Sequence, residues 1–271
     1  MFYESDCFGV IKQLMPKNIY LTRPQAILCD FDNTFYEYQP AHRAALAAVQ
    51  IKAQQSLGMT PQAFGGFFER ARQEVKSRLE GTASSHSRLL YFQRMIELFG
   101  MKTQILQTLD FEQTYWRSFL SNSVLFEGAR DFVEDLRLSE IPTAVVTDLT
   151  AQVQFRKLVY FQLDSFFDYV VTSEETGVDK PHAAPFLLAL EKLGVAAGPV
   201  WMIGDSHRND ILGARAIPGV VTFQKRHAGV QLGPREDQAD VVFDSFVELR
   251  RLFRLVLDTE SDASFRRAAN T

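Results

Sequence analysis

Two kinds of apolar pattern share this chain. Short, largely apolar runs occur at 25–29, 143–146, 169–171, 200–203, 220–223 and 241–243, and a polar residue or glycine follows each closely. Runs of this length, unbroken rather than alternating, suit strands buried on both faces of a parallel sheet. Between the later runs, 129–136 and 184–193 carry the spacing of amphipathic helices, the second ending at Gly194. Strands alternating with helices predict an α/β fold with a parallel-sheet, Rossmann-like core.

Residues 40–123 read differently. Thr60-Pro61 is an N-cap and first-turn pair, and Phe64, Phe68, Ala71, Val75 and Leu79 follow on one face until Gly81. Leu89, Phe92, Ile96 and Phe99 repeat the pattern up to Gly100, and so do Phe111, Tyr115, Phe119 and Leu120. The expected organisation is an α/β core from 1–38 and 124–257, an inserted helical domain at 39–123, and a polar tail at 258–271 without regular structure. Many of the 23 phenylalanines fall at core spacing in the insert, as the lining of an apolar bundle interior.

Composition narrows the partners. Of 271 residues 46% are hydrophobic and 23% charged, with 29 basic and 33 acidic side chains giving a net charge of -4. No run approaches the roughly 18 apolar residues of a membrane span. The acidic excess argues against a nucleic-acid polymer as partner. Glu4 and Asp6 stand where a secretory leader would be basic. Cys7 and Cys29 cannot build a disulfide framework or a cysteine zinc site alone. The expectation is a cytoplasmic protein acting on a small molecule, with no membrane partner and no indication of an oligomer.

The chemistry gathers where the apolar runs end, which is where parallel sheets bind ligands. The first delivers Asp30-Phe31-Asp32-Asn33-Thr34 and the second Thr147-Asp148. Gly177-Val178-Asp179-Lys180-Pro181 follows the third, and Gly204-Asp205-Ser206 with Asn209-Asp210 follows the fourth. Crowded carboxylates repel unless a cation joins them, and oxygen ligands in this number suit Mg²⁺, which commonly also binds a phosphate oxygen. Lys180 adds a positive charge for phosphoryl oxygens and Thr147 a hydroxyl donor. With no serine–histidine or cysteine–histidine pairing apparent, the natural nucleophile is a carboxylate, and a second carboxylate two residues on can move the protons.

This set resembles the haloacid dehalogenase superfamily in its phosphatase branch, over about residues 25–243. Asp30-Phe31-Asp32-Asn33-Thr34 is similar to the family's first motif, Thr147 to the second, Lys180 to the third, and the segment from Gly204 through Asp210 to the fourth. The resemblance implies Asp30 as nucleophile, Asp32 as general acid/base, and Thr147 and Lys180 as groups that orient and neutralise the phosphoryl. It implies Mg²⁺ held by the Asp30 carboxylate, the Asp32 backbone carbonyl and Asp205, with Asp210 binding directly or through water. It also implies that the helical insert is a C1-type cap. Dehalogenases of the superfamily lack the second aspartate because halide leaves without a proton, so Asp32 favours phosphoryl transfer.

Substrate choice is expected from the cap and from the segment after the first motif. Phe35, Tyr36 and Tyr38 either stack on a base or sugar ring or pack core against cap; Phe35 is taken as the candidate contact. In the small polar stretch 81–88, His86 and Arg88 are candidates to read a substrate carboxylate, phosphate or hydroxyl; alternatively Ser84 or Ser85 caps the next helix and Arg88 is solvated. Asp148 stands where many relatives carry a neutral polar residue. It either pairs with Lys180 or Arg208 near the substrate or caps the following helix. The expected activity is Mg²⁺-dependent hydrolysis of a small soluble phosphomonoester, a nucleoside monophosphate or sugar phosphate, through an aspartyl-phosphate. The alternatives are a phosphomutase and a non-catalytic phospho-signalling or binding module on the same fold.

Overall fold

Strand β1 (Ala26–Cys29) is buried along its whole length and pairs in parallel with β2 (Thr143–Thr147) on one side and β4 (Val200–Gly204) on the other. In this computed structural model, which describes residues 21–196 and 198–268 with side chains to residue 259, β3 (Tyr169–Thr172), β5 (Val220–Lys225) and β6 (Val241–Phe243) complete a sheet of order β3-β2-β1-β4-β5-β6. Every pairing is parallel. The order reverses at β1 and β4, and the crevice at such a switch point is where open α/β sheets take ligands.

Side chains alternate across the sheet, as the two-residue period of a strand demands. Ile27, Cys29, Val145, Trp201 and Ile203 enter one core layer, and Ala26, Leu28, Ala144, Val146, Val200 and Met202 enter the other. The first layer is continuous with the interior of the helices between β1 and β2. Cys29 is one of its fully buried members; Cys7 lies outside the described residues.

Those helices are α1 (Tyr38–Leu57), α2 (Pro61–Arg78), α3 (Arg88–Leu98) and α4 (Ile105–Ser121), with a 3-10 turn at Ala83–His86. Helix α2 starts as expected, with Pro61 in its first turn and the Thr60 hydroxyl accepting from the Ala63 N–H. Helix α1 packs against α4, and α2 against α3. Phe68, Phe92, Phe111 and Tyr115 meet inside through edge and tilted ring contacts. The chain enters and leaves this layer side by side: Tyr36 bridges Leu125, and the Phe126 N–H donates to the Phe35 carbonyl at 2.9 Å.

Helices α5 (Ala129–Leu138), α6 (Ala151–Tyr160), α7 (Ser173–Thr176) and α8 (Ala184–Leu193) link the later strands, and α9 (Phe246–Ala268) follows β6. The expectation of an irregular tail from Asp258 is corrected here, because α9 continues through Ala268; residues 269–271 lie outside the described residues. The buried turns at Phe246, Leu249, Leu252, Phe253 and Val256 supply the costly nucleus, after which extension needs no apolar face. Among the described residues no helix is long and apolar enough to cross a membrane.

Candidate active site

The strand ends bring one cluster of side chains together. Asp30 is the first residue past β1, and its backbone N–H donates to the Ile203 carbonyl at 2.8 Å, which locks its position between β1 and β4. One Asp30 carboxylate oxygen accepts from Lys180 Nζ at 2.7 Å and the other from the Thr34 hydroxyl at 2.7 Å. Lys180 also donates to Asp210 at 2.6 Å and to the Val146 carbonyl at 2.9 Å, so all three ammonium hydrogens have acceptors. Asp205 leaves the end of β4 and accepts from the Asn33 side-chain amide at 2.6 Å.

Asp30, Asp205 and Asp210 each offer an oxygen within 4.8 Å of the others. Burial pushes Asp30 up most; the Lys180 charge opposes this, Asp210 adds to it, and the carboxyl comes to rest at about 7. Burial and then the Asp30 charge push Asp205 up to about 7. Burial also raises Asp210, to about 6 with Lys180 opposing. Lys180 is drawn down by burial, but Asp210, Asp30 and Asp148 outweigh this and hold it well above the ordinary lysine value. Three hard oxygen donors that resist ionising beside one another fit a divalent cation.

Asp32 points elsewhere. Its carboxylate accepts from Lys157 Nζ at 2.7 and 2.6 Å, from the Tyr36 hydroxyl, and from Gln154 Nε2 at 3.0 Å. Burial pushes Asp32 up, but the Lys157 charge and these hydrogen bonds outweigh it and leave the carboxyl below its ordinary value. The Asp32 side chain is therefore committed to Lys157. That is compatible with the expectation that only its backbone carbonyl would serve a metal.

Thr147 ends β2 and is buried at the cleft floor. Its oxygen accepts from Gln154 Nε2 at 2.8 Å, and its hydroxyl donates to the Asp148 carbonyl through a long 3.3 Å bond. Asp148 meets Lys180 through the backbone and not as an ion pair: its carboxylate accepts from the Lys180 backbone N–H at 2.9 Å, while the ammonium goes to Asp30, Asp210 and the Val146 carbonyl. The capping alternative is not what the fold uses, since the Ala151 N–H at the start of α6 donates to Glu174 at 2.9 Å.

A cavity of about 190 Å³ opens over these groups, lined by Asp30, Asp32, Thr147, Asp148, Lys180, Asp205 and Asp210 below and by Tyr38, His86 and Arg88 above. Arg88 is only partly buried overall, yet its guanidinium is enclosed rather than solvated. It donates to the His86 carbonyl at 2.6 Å and to the Tyr38 hydroxyl, and it lies over the Tyr91 and Tyr115 rings at 5.4 Å. Its Nε is buried without a hydrogen-bond partner. Ser87, rather than Ser84 or Ser85, caps α3 by accepting from the Leu90 N–H at 3.3 Å. His86 meets Asp179 at 3.2 Å. Phe35 must be corrected as a substrate contact: it is fully buried and stacked on Phe246 at 5.0 Å, out of reach of the cavity. It serves the core because Phe31 and Phe35 lie on one turn facing the sheet's larger apolar layer.

Lys157 and Gln154 were not anticipated. The signal was present in α6, whose inward face carries Gln154, Lys157 and Leu158 while Phe155 and Val159 are more than half exposed. Polar residues on the core side of an otherwise apolar-capable helix mark a buried network.

Comparison with known proteins adds the decisive observation: residues 24–217 match the family model of haloacid dehalogenase-like hydrolases. The chain belongs to this family. Within the haloacid dehalogenase-like hydrolases, it is 37% identical over 193 residues to a ribulose-1,5-bisphosphate 5-phosphatase of Halopiger xanaduensis, covering 71% of this chain and 81% of that one. It is 30% identical to a phosphoglycolate phosphatase of Pectobacterium atrosepticum over 51% of this chain and 59% of the relative. A HAD phosphatase structure from Thermococcus onnurineus aligns with TM-score 0.63 at 25% identity, over 84% of this chain and 96% of that one. The magnesium-bound HAD-hydrolase YfnB of Bacillus subtilis shares the fold, with TM-score 0.62 at 22% identity over 86% and 99% of the two chains. These relatives place this hydrolase among the phosphoric monoester hydrolases of the family.

Proposed function

We propose that this protein is a Mg²⁺-dependent phosphatase that hydrolyses a small phosphorylated sugar or related metabolite through an aspartyl-phosphate on Asp30. The observation that carries the reading is the setting of Asp30: a buried carboxylate between Lys180 and Thr34, facing Asp205 and Asp210, with a second aspartate two residues on. The segment 39–123 acts as a cap, and the cavity beneath it suits a compact ester. The names of the relatives at 37% and 30% identity favour a sugar phosphate or a phosphorylated small acid over a nucleotide.

In the first half-reaction an Asp30 oxygen attacks phosphorus as the ester P–O bond breaks. Asp32, which must take up a proton in the substrate complex against the Lys157 pairing that keeps it ionised in the free protein, gives that proton to the departing oxygen, releasing an alcohol. In the second, Asp32 as carboxylate takes a proton from water while the water oxygen attacks phosphorus. The bond to Asp30 breaks, leaving inorganic phosphate and a free carboxylate. Lys180 and the Thr147 hydroxyl orient and neutralise the phosphoryl oxygens throughout. Asp30, Asp205, Asp210 and the Asp32 carbonyl would hold Mg²⁺, which when bound supplies charge neutralisation for the phosphoryl group and the acidic cluster. Tyr38, His86 and Arg88 contact the part of the substrate that is not transferred, and Asp148 contributes by fixing Lys180.

The test is a phosphate-release screen over sugar phosphates, phosphorylated acids and nucleotides, with and without Mg²⁺. Asp30→Asn is expected to lose turnover by about 10³-fold or more while keeping its fold. Full activity of that variant, or equal activity in chelator, would overturn the mechanism.

A further inference from the structure

Lys157 is fully buried, so it cannot touch a substrate in the cleft, and the cycle above gives it no part. A buried lysine is costly unless paired, and an apolar side chain of similar volume would satisfy the same space. Its ammonium nevertheless sits bidentate on Asp32, at 2.7 and 2.6 Å, while the Asp32 side chain is 21% exposed toward the cavity. Gln154, one turn earlier on the same face of α6, ties the same carboxylate to the Thr147 hydroxyl, at 3.0 and 2.8 Å. On its other side the ammonium lies over the rings of Trp116 and Phe119 in α4, at 5.5 and 5.7 Å. One atom therefore touches the cleft carboxylate and a helix of the insert.

We propose that Lys157 is a positioning residue for this reaction: it fixes the Asp32 carboxylate against the cleft for proton transfer, and it does so from a seat built by α4 of the insert. The inference rests on the hydrolytic cycle proposed above. A carboxylate held on both oxygens keeps one rotamer, whereas a free aspartate at a loop exit samples several. Geometry of this kind matters most where Asp32 must take a proton from water, because water brings no binding energy of its own to the alignment.

The test uses p-nitrophenyl phosphate, whose leaving group departs without a proton, followed by rapid mixing in Mg²⁺. In Lys157→Met the first-turnover burst of nitrophenolate should stay within about threefold of wild type, while steady-state turnover falls on the order of 100-fold and KM falls with it, leaving kcat/KM little changed. An alkyl phosphate, which needs the proton, should lose its first turnover as well. Gln154→Met, which leaves the ion pair in place, is the second arm; it should show the same pattern with a loss on the order of tenfold. It carries the test should Lys157→Met not fold. Equal losses in burst and steady state, rates equal to wild type in both, or a gain in turnover would each overturn the positioning role. A wild-type protein that shows no burst and releases no phosphate from any ester would instead overturn the cycle itself.

Discussion

Gly204 lacks a side chain because Asp210 stands where one would be. A Cβ built there would lie 2.5 Å from the Asp210 carboxylate, whose oxygens are held by Lys180 at 2.6 Å and by the Ser206 N–H at 2.9 Å. Gly204→Ala should therefore displace Asp210 and weaken Mg²⁺ binding by roughly 10–100-fold, the usual cost of disturbing the support of a metal ligand. Titration calorimetry with Mg²⁺ checks this; an unchanged affinity would show that Asp210 is not needed for the ion. At this scale the sequence was readable where a residue's location follows from its place after a strand, as for Asp30, Thr147 and Asp205, which meet at one cavity. It was unreadable where the role depends on which way a side chain turns. Asp148 and Phe35 each had two plausible directions, and the choice was made by partners far along the chain, Lys180 and Phe246.

Whole elements were easier to read than their attachments. The apolar runs marked all six strands to within two residues, because strands buried on both faces leave an unbroken hydrophobic record. Helix α9 was the exception beyond Asp258, where the sequence carries no apolar periodicity to announce it. Polar contacts add to the buried apolar face of α9: Arg250 and Arg254 converge on Asp135 of α5, with contacts of 2.6 and 2.8 Å. Burial pushes the Asp135 carboxyl up, but the two arginines outweigh this and hold it below its ordinary value. Asp135→Asn should cost about 1–2 kcal/mol at pH 7, the lower part of the range for charged hydrogen bonds because Arg254 is largely exposed. A carboxyl depressed on folding stabilises above its unfolded value near 4 and loses that contribution as pH falls through the lower folded value. Urea midpoints of wild type and variant should thus differ at pH 7 and draw together as pH falls below about 4; a constant gap would mean that the charge does not contribute to holding the helix.

For the molecule as a whole, the acidic cluster reverses that dependence. Asp30 and Asp205 near 7 and Asp210 near 6 bind protons more tightly folded than unfolded. Without metal, stability should fall as pH rises from about 4 through 7, since carboxyls raised on folding stabilise only while protonated. Saturating Mg²⁺ should flatten this dependence and raise the melting temperature most at pH 8. Thermal melts at pH 5 and pH 8, in chelator and in Mg²⁺, test it; a Mg²⁺ effect equal at both values would count against the cluster as the binding site.

The neck formed by Tyr36 with Leu125 and Phe35 with Phe126 has a further consequence for how such a chain can change over evolutionary time. Because the outgoing and returning segments are hydrogen-bonded neighbours, the sheet meets everything between them as it would meet a hairpin turn. Lengthening, shortening or exchanging that intervening portion costs little loop entropy and leaves the pairing of β1 with β2 untouched. Under the cap role proposed above, specificity can be rewritten like a replaceable tool head on a fixed handle, and under the proposed positioning role of Lys157 any replacement must still present an aromatic wall to it.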